Sequence, residues 1–106
     1  MLNKSIIDAN KSVVAFFRTC RPEWGYDCID YGGKNTLGAY YDDGHQYTPT
    51  SIRLYRRPRG DKLLSVEGLT RRAKAGDVMT FEHDKKSNRI IVRLELGEPP
   101  KKINLI

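Results

Sequence analysis

The chain has 106 residues, of which 19 are Lys or Arg and 13 are Asp or Glu, so its formal net charge is +6. This length suffices for one hydrophobic core but not for two, which predicts a single domain over residues 1–97 and a tail or linker remnant over 98–106. The positive charge favours a polyanionic partner, and the lack of a long apolar run predicts a cytoplasmic protein without membrane contact.

The N-terminal third contains two predicted elements and a long loop. Residues 3–10 have a capping residue and the apolar spacing of a short helix, whereas the bulky residues of 12–18 predict a buried strand. Residues 19–35 are rich in Gly and predict a long, functional loop with short strand content at 26–29. Trp24 in this loop is interpreted either as a lid over the core or as a ligand contact.

The middle of the chain contains two predicted strands separated by an acidic turn. Residues 36–41 predict the first strand, the sequence Asp-Asp-Gly at 42–44 predicts a turn, and residues 51–57 predict the second strand. Because side chains alternate between the two faces of a strand, we expect Ile52 and Leu54 to enter the core.

The opposite face of this second strand is basic. We expect three side chains to point outward and three further cations to extend the cluster: Arg53, Tyr55 and Arg57, then Arg56, Arg59 and Lys62. Arginine matches phosphate oxygens and the acceptor edge of guanine, and it stacks on aromatic rings. The cluster indicates a nucleic-acid-binding surface, and a solvated strand face in a basic protein is the alternative.

The last third predicts a short strand, one helical turn and a β-hairpin. The strand covers 62–66, the helical turn 68–75, and the hairpin has a first strand at 78–83 and a turn at 84–88. Met79 and Phe81 are expected on one face of the first hairpin strand. In the second, alternate residues are expected to face the core (Ile90, Val92, Leu94 and Leu96) or solvent (Ile91, Arg93 and Glu95).

These elements predict a mainly β protein. The expected architecture is a small antiparallel barrel or pseudobarrel of six to seven strands with one or two short helices. We expect the sheet to close on itself, because open edges rich in β-forming residues invite pairing with other chains.

The cysteine, histidine and carboxylate residues follow no pattern typical of a metal site or an active site. Cys20, Cys28, His45 and His83 lack the paired spacing of zinc ligands, so we expect reduced thiols, no metal and no cofactor. The acidic hairpin around His83 lacks the carboxylate and lysine spacing of a metal-dependent nuclease. An enzyme is therefore the less favoured interpretation.

Two segments carry a resemblance to a known family. Residues 38–45, GAYYDDGH, and the following 53–60, RLYRRPRG, resemble a stretch of EcoRII-type restriction endonucleases with paired tyrosines, a histidine and an Arg-rich strand. Residues 68–81, GLTRRAKAGDVMTF, are similar to the turn, Gly-Asp pair and hydrophobic strand of plant B-three-type domains. The chain thus resembles the DNA-binding pseudobarrel, the fold of those plant domains and of the N-terminal effector-binding domain of the EcoRII-type enzymes.

The resemblance implies a module that grips the major groove of double-stranded DNA with two arms, as in the recognition domain of a restriction-type or regulatory system. Matched by position, the first arm contains four candidates: Arg21, Trp24, Lys34 and Asn35. The second contains seven, with Lys62 adjoining them: His45, Thr50, Arg53, Tyr55, Arg56, Arg57 and Arg59.

Two other functions stay open from the residues alone. A small barrel could bind single-stranded nucleic acid or RNA by stacking bases on Tyr47, Tyr55 and Trp24. The same basic face could instead dock an acidic protein, which would make the chain a non-enzymatic interaction module.

Overall fold

The computed structural model describes residues 6–68, 77–95 and 103–105, and it confirms a mainly β protein with short helical elements. In chain order the elements are β1 (Ile6–Asp8), α1 (Lys11–Cys20), two 3₁₀ turns (Pro22–Trp24 and Tyr26–Cys28), β2 (Lys34–Asp42), β3 (Tyr47–Arg56), β4 (Lys62–Val66), β5 (Asp77–Asp84), β6 (Arg89–Glu95) and β7 (Ile103–Leu105).

The seven strands form one sheet in the order β1-β4-β3-β2-β6-β5-β7. Neighbouring strands are antiparallel except β2 and β6, which pair in parallel over residues 39–42 and 90–93. The sheet is therefore mixed rather than antiparallel throughout. It curves around the core as a half-barrel, and no ladder among the described residues joins β1 to β7, so the expected closure between edge strands is absent there.

Residues 12–18, predicted as a buried strand, belong to the helix α1. The helix begins after Asn10, whose side-chain oxygen accepts a hydrogen bond from the N–H of Val13 at 2.9 Å. Val13 and Phe17 lie one turn apart and are buried against the sheet. The N-cap and the helical spacing of these apolar side chains outweigh the β propensity of the individual residues.

Two shorter predictions are also wrong. Residues 6–8 of the expected N-terminal helix form the edge strand β1, because Ile7 packs toward the core while its two neighbours face outward. Residues 26–28 form a 3₁₀ turn instead of strand. Tyr26 anchors this turn, since its buried hydroxyl donates a hydrogen bond to the carbonyl of Leu63 at 2.8 Å.

The core lies between α1, the 3₁₀ turns and the inner face of the sheet. Ile52 and Leu54 are fully buried there, as predicted, and Met79 and Phe81 also contribute to it. Ile91 was expected in solvent but is only 4% exposed. As alternation predicts, Ile91 lies on the face of the sheet opposite the core. It is directly across from Tyr40 of β2, and this aromatic neighbour shields the Ile91 side chain from solvent.

Parts of several predictions lie outside the described residues, namely residues 3–5 of the N-terminal helix, the helical turn at 69–75 and the side-chain positions of Glu95 and Leu96. Three residues of the predicted tail form β7, which pairs with β5. In the part of the chain that the structure describes, no helix is both long enough and apolar enough to span a bilayer.

Candidate nucleic-acid interface

The end of the long loop and the end of β3 lie side by side. The N–H of Gly32 donates to the carbonyl of Arg56 at 2.6 Å, and the N–H of Arg56 donates to the carbonyl of Gly33 at 3.1 Å. Nη1 of Arg56 also donates to the carbonyl of Ile29 at 3.0 Å. These bonds hold the two predicted arms together at one end of the sheet.

Arg56 is committed to internal contacts. It follows Ile52 and Leu54 on the inward face of β3, and its Cζ lies 3.9 Å from the centroid of the Tyr31 ring. Its Nε is buried and has no hydrogen-bond partner among the described residues. The Arg56 side chain, which was predicted to contact DNA, therefore joins the loop to β3.

A tight turn after β3 presents two arginines to solvent. The N–H of Gly60 donates to the carbonyl of Arg57 at 2.8 Å, and Gly60 adopts φ +95°, a conformation that favours glycine. The side chain of Arg59 is 87% exposed, and its Nη2 lies 3.8 Å from Oδ2 of Asp61. An ion pair this long and exposed restrains the guanidinium only weakly.

Two further cations flank Tyr55 on the outer face of the sheet. Lys34 lies directly across from Tyr55 in the β2–β3 ladder, and Arg53 precedes it by two residues on the same face. The Tyr55 hydroxyl lies 3.5 Å from Oγ of Ser65, and this hydrogen bond, aided by the two cations, lowers the pKa of Tyr55. We refer to these outward residues together as the basic rim: Lys34, Arg53, Tyr55, Arg57 and Arg59.

The cations of the basic rim are available to an external anion. Within the described residues, Lys34, Arg53 and Arg57 form no ion pair with a carboxylate. Arg93 on β6 is the contrasting case, because it bonds Asp42 at 2.7 Å and Glu82 at 2.9 Å. The pKa of Asp42 is lowered by this partner. The rim therefore carries charge that the fold itself does not neutralise.

Three predicted residues of the first arm do not belong to the basic rim. Arg21 is paired with Glu23 at 2.6 Å and lies 5.8 Å from the Trp24 ring. Trp24 packs partly against the core and meets His83 edge-on at 5.7 Å, the packing expected of a lid over the core. Asn35 follows Lys34 on β2, and both residues line a cleft of about 510 Å³ between the loop and the strand, together with Trp24.

Of two further candidates of the second arm, His45 lies beyond the far end of β3, whereas Thr50 lies within the strand, three residues before Arg53. From Tyr47 to Arg56 the strand β3 makes nine steps, or about 30 Å. His45 is exposed in the hairpin turn that precedes Tyr47, and the Thr50 hydroxyl donates to the carbonyl of Glu67 at 3.3 Å. The structure therefore does not bring His45 or Thr50 to the basic rim.

Tyr31 is a rim neighbour that the sequence analysis missed. Its ring is 63% exposed and rests on the Arg56 guanidinium, beside the turn that contains Gly60. The available signal was an aromatic residue directly before a glycine pair within the long loop. Such a position lets an apolar ring reach the surface near a turn.

Cys20 and Cys28 are free thiols. Among the described residues, no group of three or more His, Cys, Asp or Glu side chains is arranged to hold a metal ion. Comparisons with protein-family models, with curated proteins and with solved structures gave no match for this chain.

Proposed function

We propose that this protein is a double-stranded DNA-binding module that contacts the duplex through the basic rim. The observation that carries the proposal is the reciprocal hydrogen bonding of Gly32 and Gly33 with Arg56, which fixes the loop beside the arginine-bearing turn. Cations that are not neutralised by strong internal ion pairs then lie together at one end of the two central strands β2 and β3. This is the charge pattern that a phosphate backbone recognises.

The geometry supports different roles for the rim cations. Arg59 lies at the tip of the turn and is 87% exposed, so it has the reach to enter a groove and to contact base edges. Lys34 and Arg57 flank the tip and would bind phosphates, which fixes the orientation of the duplex. The pseudobarrel resemblance adds support, since that family also grips DNA with two adjacent arms.

A salt-dependent binding titration tests the proposal. We expect the wild type to bind a mixed-sequence duplex at low salt, and we expect R57Q/R59Q to weaken binding at least about tenfold. The slope of log K against log salt should fall by about two in this variant. Single substitution of Arg59 should cost about 1–3 kcal/mol at one base position, whereas Arg57→Gln should weaken all sequences alike.

A matched control separates local contacts from net charge. H45E/Q46E lowers the formal charge by the same amount as R57Q/R59Q, but it does so in the exposed hairpin turn at the far end of β3. We expect this control to keep most of the wild-type affinity. Failure of the wild type to bind duplex at low salt would contradict the proposal, as would equal losses in the two double variants.

A single-stranded partner is the second candidate, and the exposure of Tyr31 favours it. One face of this ring is occupied by Arg56, and the ring is still 63% exposed, so a base can stack on it. Competition between duplex and single-stranded oligonucleotides of equal length distinguishes the candidates. Preference for the single strand, lost in Tyr31→Ala but retained in R57Q/R59Q, would favour this second function.

A further inference from the structure

A second basic surface lies between helix α1 and the turn that carries the rim arginines. It is a groove of about 380 Å³ lined by seven residues: Ala9, Lys11, Val14, Ala15, Arg18, Gly60 and Lys62. Lys11 and Arg18 lie seven residues apart, so both project from the same face of the helix. Three of the seven lining residues are cations and none is acidic.

The charges of this groove have no described internal partner. Within residues 6–68, 77–95 and 103–105, neither Lys11, Arg18 nor Lys62 forms an ion pair. The nearby carboxylate of Asp61 lies within 4 Å of Arg59 instead, and Asp8 occupies an outward position of β1. The small side chains between the cations leave room for an anion to approach them.

The start of α1 adds to this preference for an anion. No acidic residue occupies the first turn, and Lys11 is the first residue of the helix. A cation at a helix N-terminus opposes the helix dipole, so this arrangement lowers the stability of the helix in isolation. A bound anion would interact favourably both with the dipole and with the lysine.

The groove is continuous with the basic rim. Gly60 lines the groove, and the same residue lies next to the Tyr31 ring and closes the turn with Arg57. From the rim, the turn leads through Gly60 to Lys62 and then to the exposed face of α1. We propose that duplex DNA bound at the basic rim continues across this groove, where Lys11, Arg18 and Lys62 contact its backbone phosphates. This inference rests on the proposed function and enlarges its footprint.

Duplexes of increasing length test the proposal. The variant K11Q/R18Q should match the wild type on the shortest duplex that the rim binds, because that duplex does not reach the helix. On longer duplexes the variant should bind about tenfold more weakly, with a salt slope lower by about two. Arg18→Lys keeps the charge and should retain wild-type binding, and circular dichroism checks that each variant is folded.

The outcomes separate this proposal from the one on which it rests. H45E/Q46E again controls for net charge and should show no dependence on duplex length. If the wild type binds duplex and R57Q/R59Q weakens it, but K11Q/R18Q equals the wild type at every length, the groove proposal is overturned alone. If the wild type binds no duplex at low salt, both proposals are overturned.

Discussion

Tyr26 illustrates how a single buried side chain connects the long loop to the sheet. Its side chain is 1% exposed, and its hydroxyl donates to the carbonyl of Leu63 at 2.8 Å. Burial raises the pKa of Tyr26 well above its ordinary value near 10. The folded protein therefore keeps this proton at alkaline pH, whereas the unfolded chain loses it, and stability falls as pH rises above about 10.

Tyr26→Phe tests this linkage. At neutral pH the variant should unfold with a free energy about 1–2 kcal/mol lower than the wild type, because the Leu63 carbonyl loses its partner. Above pH 10 the free energy of unfolding of the wild type should fall by about 1.4 kcal/mol per pH unit because of Tyr26, and the variant lacks this term. The difference in stability between the two proteins should therefore shrink. Urea unfolding at a series of pH values measures it. Tyr31→Phe, at an exposed ring, should match the wild type at neutral pH, and a Tyr26→Phe deficit that stays constant with pH would contradict the account.

The sequence predicted side-chain direction well wherever the strand itself was recognised. Alternation along β3 correctly placed Ile52 and Leu54 in the core, and it placed Arg53 on the outer face. The same alternation puts Arg56 on the inward face, which the sequence prediction overlooked, but it does not identify the partners of this side chain. Its partners are a backbone carbonyl and an aromatic ring, and both belong to a loop whose conformation carries no periodic signal.

At the scale of elements, the principal error was the exchange of helix and strand near the N-terminus. Apolar residues at 13, 14, 16 and 17 fit a buried strand as well as one face of a helix, so their spacing alone does not decide. The Asn10 cap decides in favour of α1, and the preceding residues pair with β4 instead. Because of this error, the basic face of α1 was not predicted. A buried strand has no solvent-exposed face on which Lys11 and Arg18 could lie together.

The Arg56 side chain connects β3 to the loop that contains Ile29 and Tyr31. Arg56→Met removes the hydrogen bond to the Ile29 carbonyl and the stacking on Tyr31, so we expect the free energy of unfolding to fall by about 2 kcal/mol. Amide hydrogen exchange at Gly32 should accelerate because the loop is less firmly held. Arg57→Met, on an exposed side chain, should change stability by less than about 0.5 kcal/mol. Equal stability of the two variants would show that Arg56 does not join the loop to β3.

At the scale of the whole molecule, the mainly β class was predictable, but the order of strands was not. The expected six to seven strands match the observed number only because the strands wrongly predicted at 12–18 and 26–29 are offset by β1 and β7, which were not predicted as strands. Hairpin signals identify the β2–β3 and β5–β6 pairs, since each has a short turn between alternating residues. The parallel contact of β2 with β6 joins residues about fifty positions apart, and no local pattern specifies it. The length of β3 separates His45 from the rim, so a site assembled from sequence neighbours was only partly correct.

The distribution of charge over the whole molecule leads to the central claim. The middle segment, residues 41–75, holds eight of the 19 Lys and Arg residues and four of the 13 acidic ones. The described rim arginines of this segment lie beside the loop. Arg93 of β6, by contrast, is neutralised by Asp42, at the opposite end of β2, and by Glu82. The fold thus leaves positive charge at the rim that it does not neutralise, and we propose that this end of the sheet binds DNA.

A chemical-shift map of the protein with added duplex tests this claim most directly. We predict that the amide signals of residues 31–34 and 53–60 shift together and saturably at low salt, and that those of the 43–46 hairpin turn do not. Shifts centred on the 43–46 turn, or no shift in the basic rim at low salt, would contradict the account.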